Sequence, residues 1–132
     1  MCLITEQRTP KVSDKELITY KILYDRGNIP QAPFYGNPYQ LDVEYKKDST
    51  LPPFNASNDN VITEQGYHVF TNLRDALTVV QIWELVFNDP HSLKIYKATI
   101  PAGSIIYEGY CVVRDVVYPS IVTNRIIISK LP

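Results

Sequence analysis

Seven side chains have types and spacing that could do chemistry together: Tyr20, Tyr24, Arg26, Tyr35, Tyr39, His68 and Arg74. The first five fall on one strand-like run and the loop that follows it. A tyrosine offers an apolar ring with a hydrogen-bonding tip, and a guanidinium stacks on rings and grips phosphate with paired N–H groups. The tyrosines with Arg26 therefore suit a nucleotide, rings on the base and guanidinium on the phosphate. His68 stands where a strand hands over to a helix, beside an N-terminus that favours anions. Arg74, one turn into that helix, adds a cation. The plainer reading is packing: tyrosines in the core and a histidine bonded to a backbone carbonyl.

Other candidates are thinner. There is no Gly-rich phosphate loop, no paired-cysteine metal site and no Gly-x-Ser-x-Gly elbow. His68 and His91 are too dispersed for a metal centre, so neither a metal nor a cofactor is expected, and no catalytic residue is assigned. Cys2 would be an N-terminal nucleophile only after loss of Met1; as a small buried residue of a first strand it needs no such role. Glu108 reads as an acid beside a cleft or as an exposed turn residue. Glu84 falls within an apolar helix arc, either snorkelling to an ion pair or buried with a raised pKa.

The elements that must position these residues centre on Gly66–Ala76. Tyr67 to Phe70 alternates as a strand does. Thr71 and Asn72 are N-cap residues, and Asp75 three places after Asn72 approaches a capping box. A helix is predicted from about Leu73 to about Phe87, stopped by Asn88-Asp89-Pro90. Its apolar arc is wider than the roughly 100° of an ordinary surface helix. That width predicts burial on two sides, with Leu73, Leu77 and Val80 on the core and Val79, Ile82 and Val86 towards a homodimer seam.

Short strands are predicted at Cys2–Ile4, Glu16–Tyr24, Gln40–Lys46, Leu93–Ile100 and Ser104–Tyr107, the last bent or ended by Gly109. A further strand is read over Tyr110–Tyr118 with Arg114-Asp115 inside it, interrupted by Pro119, and a final one over Ile121–Lys130. Residues 47–60, with Pro52-Pro53 and an Asn-rich run, read as a surface loop. The sum is an α+β domain, a largely antiparallel sheet packed on one main helix at about 73–87.

The chain has 132 residues, enough for a single domain spanning 1–132 with its own core. Thirteen basic and fourteen acidic residues leave a net charge of −1, which argues against a nucleic-acid partner. No apolar run approaches the roughly 18 residues of a membrane span, and no signal peptide is evident, so no membrane partner and a cytoplasmic setting are expected. Two cysteines give no disulfide framework. Ten tyrosines are many for this length and point to a binding surface.

Met1-Cys2-Leu3-Ile4-Thr5, Tyr20-Lys21-Ile22-Leu23, Gly66-Tyr67-His68-Val69-Phe70, Ile100-Pro101-Ala102-Gly103-Ser104, Tyr107-Glu108-Gly109 and Asn124-Arg125-Ile126-Ile127-Ile128 recur in that order in a family of small phage and gut-bacterial proteins, which this chain resembles over most of its length. The order is also loosely similar to ADP-ribosyltransferase-like folds. That likeness implies Tyr20 or Arg26, then His68, then Glu108 around a nicotinamide nucleotide, although no Ser-Thr-Ser-like strand or Glu-x-Glu turn is present. In size and aromatic content the chain resembles viral sponges for nucleotide signals. The expectation is a phage-type protein in the host cytoplasm that sequesters a nucleotide-derived signal, as a homodimer. The alternatives are an ADP-ribosyltransferase-like enzyme acting on NAD and a non-enzymatic protein-interaction module.

Overall fold

In a computed structural model of the chain, residues 2–5, 7, 9–26, 29–31, 38–46, 61–63, 66–87 and 93–132 are described. The long period-two run after Glu16 forms the central strand, β3 (Leu17–Arg26), preceded by β1 (Cys2–Ile4) and β2 (Lys11–Val12). Then come β4 (Ile29–Gln31), β5 (Glu44–Lys46), β6 (Val61–Thr63), β7 (Tyr67–Phe70), α1 (Leu73–Phe87), β8 (Leu93–Ile100), β9 (Ile105–Val113), β10 (Val116–Thr123) and β11 (Arg125–Lys130). The protein is α+β: a single helix on a largely antiparallel sheet, among the described residues.

The strand order is β5-β11-β8-β3-β7-β10-β9-β1-β6, with β4 beside β3 and β2 beside β9. Every pairing is antiparallel. β10 runs into β11 through Asn124 alone, so the path β10-β7-β3-β8-β11 returns to the same stretch of chain. The sheet thus curls into a barrel-like ring. Its inside holds Leu23, Val69, Tyr96, Ala98, Ile100, Ile121, Ile126 and Ile128. Asn124 pins the bend: its side-chain Oδ1 accepts the Ile105 N–H at 2.9 Å, while its backbone N–H donates to the Ile105 carbonyl.

The second core lies outside the ring, under α1. Ala76, Val79, Val80 and Trp83 pack on Ile22, Phe70, Leu93, Cys111 and Tyr118. This is an i, i+3, i+4, i+7 stripe, and Ala76 lets the helix approach closely. The orientation corrects the expectation above. Val79 is fully buried and Ile82 packs against the core, whereas Leu73 and Leu77 are exposed, Leu77 by 49 %. Leu85 is 83 % exposed, and Glu84 is exposed too, so it is no buried carboxylate. Within the wide arc the helix chose the stripe whose smallest member faces the sheet. The start of α1 is as the sequence indicates. Asn72 caps it, its Oδ1 accepting the Asp75 N–H at 2.8 Å and its amide donating to the Asp75 carboxylate at 2.8 Å.

Four strand readings change. Arg114-Asp115 is not inside a strand but forms the two-residue turn of a hairpin, with Val113 opposite Val116. Both turn residues have positive φ, 49° and 63°. That primed-turn geometry favours Gly or Asn and costs other residues about 1–2 kcal/mol each, which is why the sequence does not announce it. Gly109 does not end its strand. It sits within β9 because a Cβ there would lie 2.1 Å from the Ile4 carbonyl oxygen, where β1 crosses. Pro119 lies within β10, one residue before the ladder to β7 begins, where a missing N–H breaks no pairing to β7. The strand expected over Gln40–Lys46 shortens to β5, since Leu41-Asp42 turns with Asp42 at φ 61°.

Candidate functional site

The registers decide which of the predicted residues share a face. Tyr20 stands directly opposite Phe70, and His68 opposite Val122, which in turn faces Tyr107. Tyr20 and Tyr24 pack from the helix side of β3 against the core beneath α1. Phe70 and His68, two apart on β7, have ring centroids 5.9 Å apart, edge to face. Tyr20 and Phe70 therefore meet where β7 leads into α1, His68 lies one row back along β7, and Arg74 is exposed on the first turn of the helix.

The rest of the predicted set lies elsewhere. Tyr24 is four residues along β3 from Tyr20, about 13 Å at strand rise. Arg26 ends the same strand. Tyr39 is buried in the ring interior, edge-on to Tyr45 at 5.2 Å and Tyr67 at 6.4 Å. Burial first, then Tyr67 and Tyr45, raise the Tyr39 pKa and keep that phenol neutral. Tyr35 and His91 lie outside the described residues. Tyr45 and Tyr67 were not on the sequence's list. They join Tyr39 only through the fold.

His68 is the unusual member. Its ring is buried, and neither Nδ1 nor Nε2 has a hydrogen-bond partner. Burial, followed by the nearby Lys21 ammonium, pushes its pKa down to about 3. Lys21 is held there by donating from Nζ to the His68 carbonyl oxygen at 2.8 Å. The imidazole is therefore neutral, with one N–H donor and one bare nitrogen acceptor, both unused. A buried polar atom without a partner costs about 1–3 kcal/mol. The other such atom among the described residues, Arg125 Nε, belongs to a guanidinium already held by Glu44 at 2.7 Å.

Two features limit the chemistry here. The α1 N-terminus is occupied by its own Asn72–Asp75 cap, so an anion would have to be met by the Arg74 side chain instead. Glu108 points away from His68: it pairs with Ile121, whose row includes Val69, while His68 shares the opposite face with Val122 and Tyr107. Glu108 is exposed and forms an ion pair with Lys11 at 3.2 Å. Cys111 is a free, buried thiol whose pKa burial raises. Among the described residues no group of His, Cys, Asp and Glu could hold a metal ion, and no helix is long and apolar enough to cross a membrane.

No protein-family model matches the chain, and neither a curated protein nor a solved structure matches it.

Proposed function

We propose that the protein binds and sequesters a nucleotide-type ligand at the β7–α1 junction, without turning it over. In the setting its resemblance implies, that ligand is a signalling nucleotide of a phage's host. The observation that carries the reading is the neutral, buried His68 ring with both nitrogens unsatisfied, edge-on to Phe70, on the strand that leads through Phe70 and its partner Tyr20 to the exposed Arg74 on the first turn of α1. The His68 N–H and bare nitrogen point in diverging directions, so the ring offers a single hydrogen bond to a nucleobase, made when the cover that seals it in the free protein opens. Tyr20 supplies a stacking ring, and Arg74 a cation for phosphate. A ligand spanning about 13 Å would also reach Tyr24. What favours binding over transfer is the placement of Glu108 on the far face from His68, since the transferase arrangement needs both around one nucleotide.

A thermal-shift screen with NAD, ADP-ribose, cyclic ADP-ribose isomers and cyclic dinucleotides tests it. The expected result is stabilisation by at least one of them, with the ligand recovered intact by mass spectrometry. His68→Leu and Arg74→Ala should each weaken that ligand at least tenfold by calorimetry, the loss of one hydrogen bond to a charged or buried group. No shift with any compound, or recovery of a cleaved one, would overturn the proposal.

A further inference from the structure

The β9–β10 hairpin outruns the rest of the sheet. The ladder of β7 on β10 begins at Ser120, and β1 meets β9 at Tyr110, so beyond those points the two strands pair only with each other among the described residues. One face of this ribbon is covered, with Cys111 and Tyr118 packed under α1. The other carries the cross-strand pairs Tyr110–Pro119 and Val112–Val117, all four exposed, Val112 by 47 % and Val117 by 55 %. A two-stranded ribbon with an open apolar face is marginal by itself and prone to association.

The charges at its two ends identify the partner. The tip holds Arg114 then Asp115, both exposed and without an ion pair among the described residues. The base holds Glu108 with Lys11. Glu108 and Arg114 stand three residues to either side of Cys111, the midpoint between Tyr110 and Val112. A two-fold axis through the apolar patch and across the strands brings each tip over the other copy's base, Arg114 against Glu108 and Asp115 towards Lys11, whereas an axis along the strands would set like charges on each other. Acid meets base at both ends, and the net charge of −1 gives two copies little mutual repulsion.

We propose that two copies of this chain associate face to face through their β9–β10 hairpins, apolar patch on apolar patch, with Arg114 of each tip paired to Glu108 of the other copy. The seam is thus the hairpin and not the helix. The proposal is independent of the ligand site, which lies on the opposite face of the sheet.

Light scattering at micromolar concentration should give twice the 15.1 kDa of one chain. Val112→Glu and Val117→Glu should each give a monomer with an unchanged circular dichroism spectrum, while Leu77→Glu on the exposed helix face should leave the dimer intact. Arg114→Glu should raise the dissociation constant at least tenfold, and adding Glu108→Arg to it should restore most of that loss. The proposal is overturned by a single-chain mass for the unsubstituted protein. It is equally overturned by a dimer that survives Val112→Glu or is split by Leu77→Glu. Failure of the double charge swap to restore association overturns the pairing of tip with base.

Discussion

His68 makes the protein acid-sensitive in a way that can be isolated. Its pKa is about 3 in the fold against 6.5 for an unperturbed imidazole. A depressed histidine pKa means that the unfolded chain takes up a proton that the folded chain refuses. The resulting stability is present above the unfolded value and is lost as pH falls from about 6.5 towards 3. Each pH unit below the unfolded pKa removes about 1.4 kcal/mol, so going from pH 7 to pH 5 should remove about 2 kcal/mol through this residue alone. The perturbation is His68→Leu, close in volume and unable to titrate. Urea unfolding of both proteins at pH 7 and pH 5 gives four stabilities. The difference between the two pH slopes cancels His91 and the carboxylates that both chains share. The substituted protein should lose about 2 kcal/mol less on acidification. At pH 7 it should also be more stable by about 1 kcal/mol or more, having shed two unsatisfied buried nitrogens. Equal pH slopes would refute the reasoning, because they would mean that the folded protein accepts the proton and that the ring is not sealed.

Other outcomes follow from single contacts. Gly109→Ala forces a Cβ to within 2.1 Å of the Ile4 carbonyl, a backbone atom that cannot swing aside, so thermal unfolding should show a loss of about 3 kcal/mol or detachment of β1. Asn72→Ala removes both arms of the α1 cap and should cost about 1 kcal/mol in urea unfolding. Asp115→Gly relieves a left-handed residue at the hairpin tip and should stabilise the isolated subunit by about 1 kcal/mol, read as a raised midpoint.

What was legible in the sequence is what is local. The Asn72–Asp75 cap is an i, i+3 relation, and β3 and β8 are long period-two runs, so all three could be read directly. The hairpin could not, because its turn is Arg-Asp where Gly or Asn would be the signal. The helix face was misread because Leu73, Leu77 and Val79 all belong to one broad apolar arc, and only the sheet beneath decides which stripe is buried. The candidate site suffered from the same limit. Tyr20, Tyr24 and Tyr39 are near neighbours in sequence, yet Tyr39 turns into the ring while the other two face the helix. Residue type was informative there; the assignment of faces needed the long-range registers of β3 with β7 and of β7 with β10.

Those registers also keep the two proposals apart. β10 carries both: Val122 stands opposite His68, and five residues earlier Val117 stands opposite Val112. Because side chains alternate along a strand, Val122 and Val117 differ in parity and lie on opposite faces. A dimer built on the Val117 face therefore leaves the Tyr20–His68–Arg74 end of each copy turned away from the seam. Two ligand sites per dimer would be filled independently, without competing with assembly. Charge reversal at Arg114 should accordingly leave ligand affinity unchanged, and His68→Leu should leave the mass in solution unchanged. If instead ligand binding and assembly failed together in either variant, β10 would have to transmit the change from one face to the other.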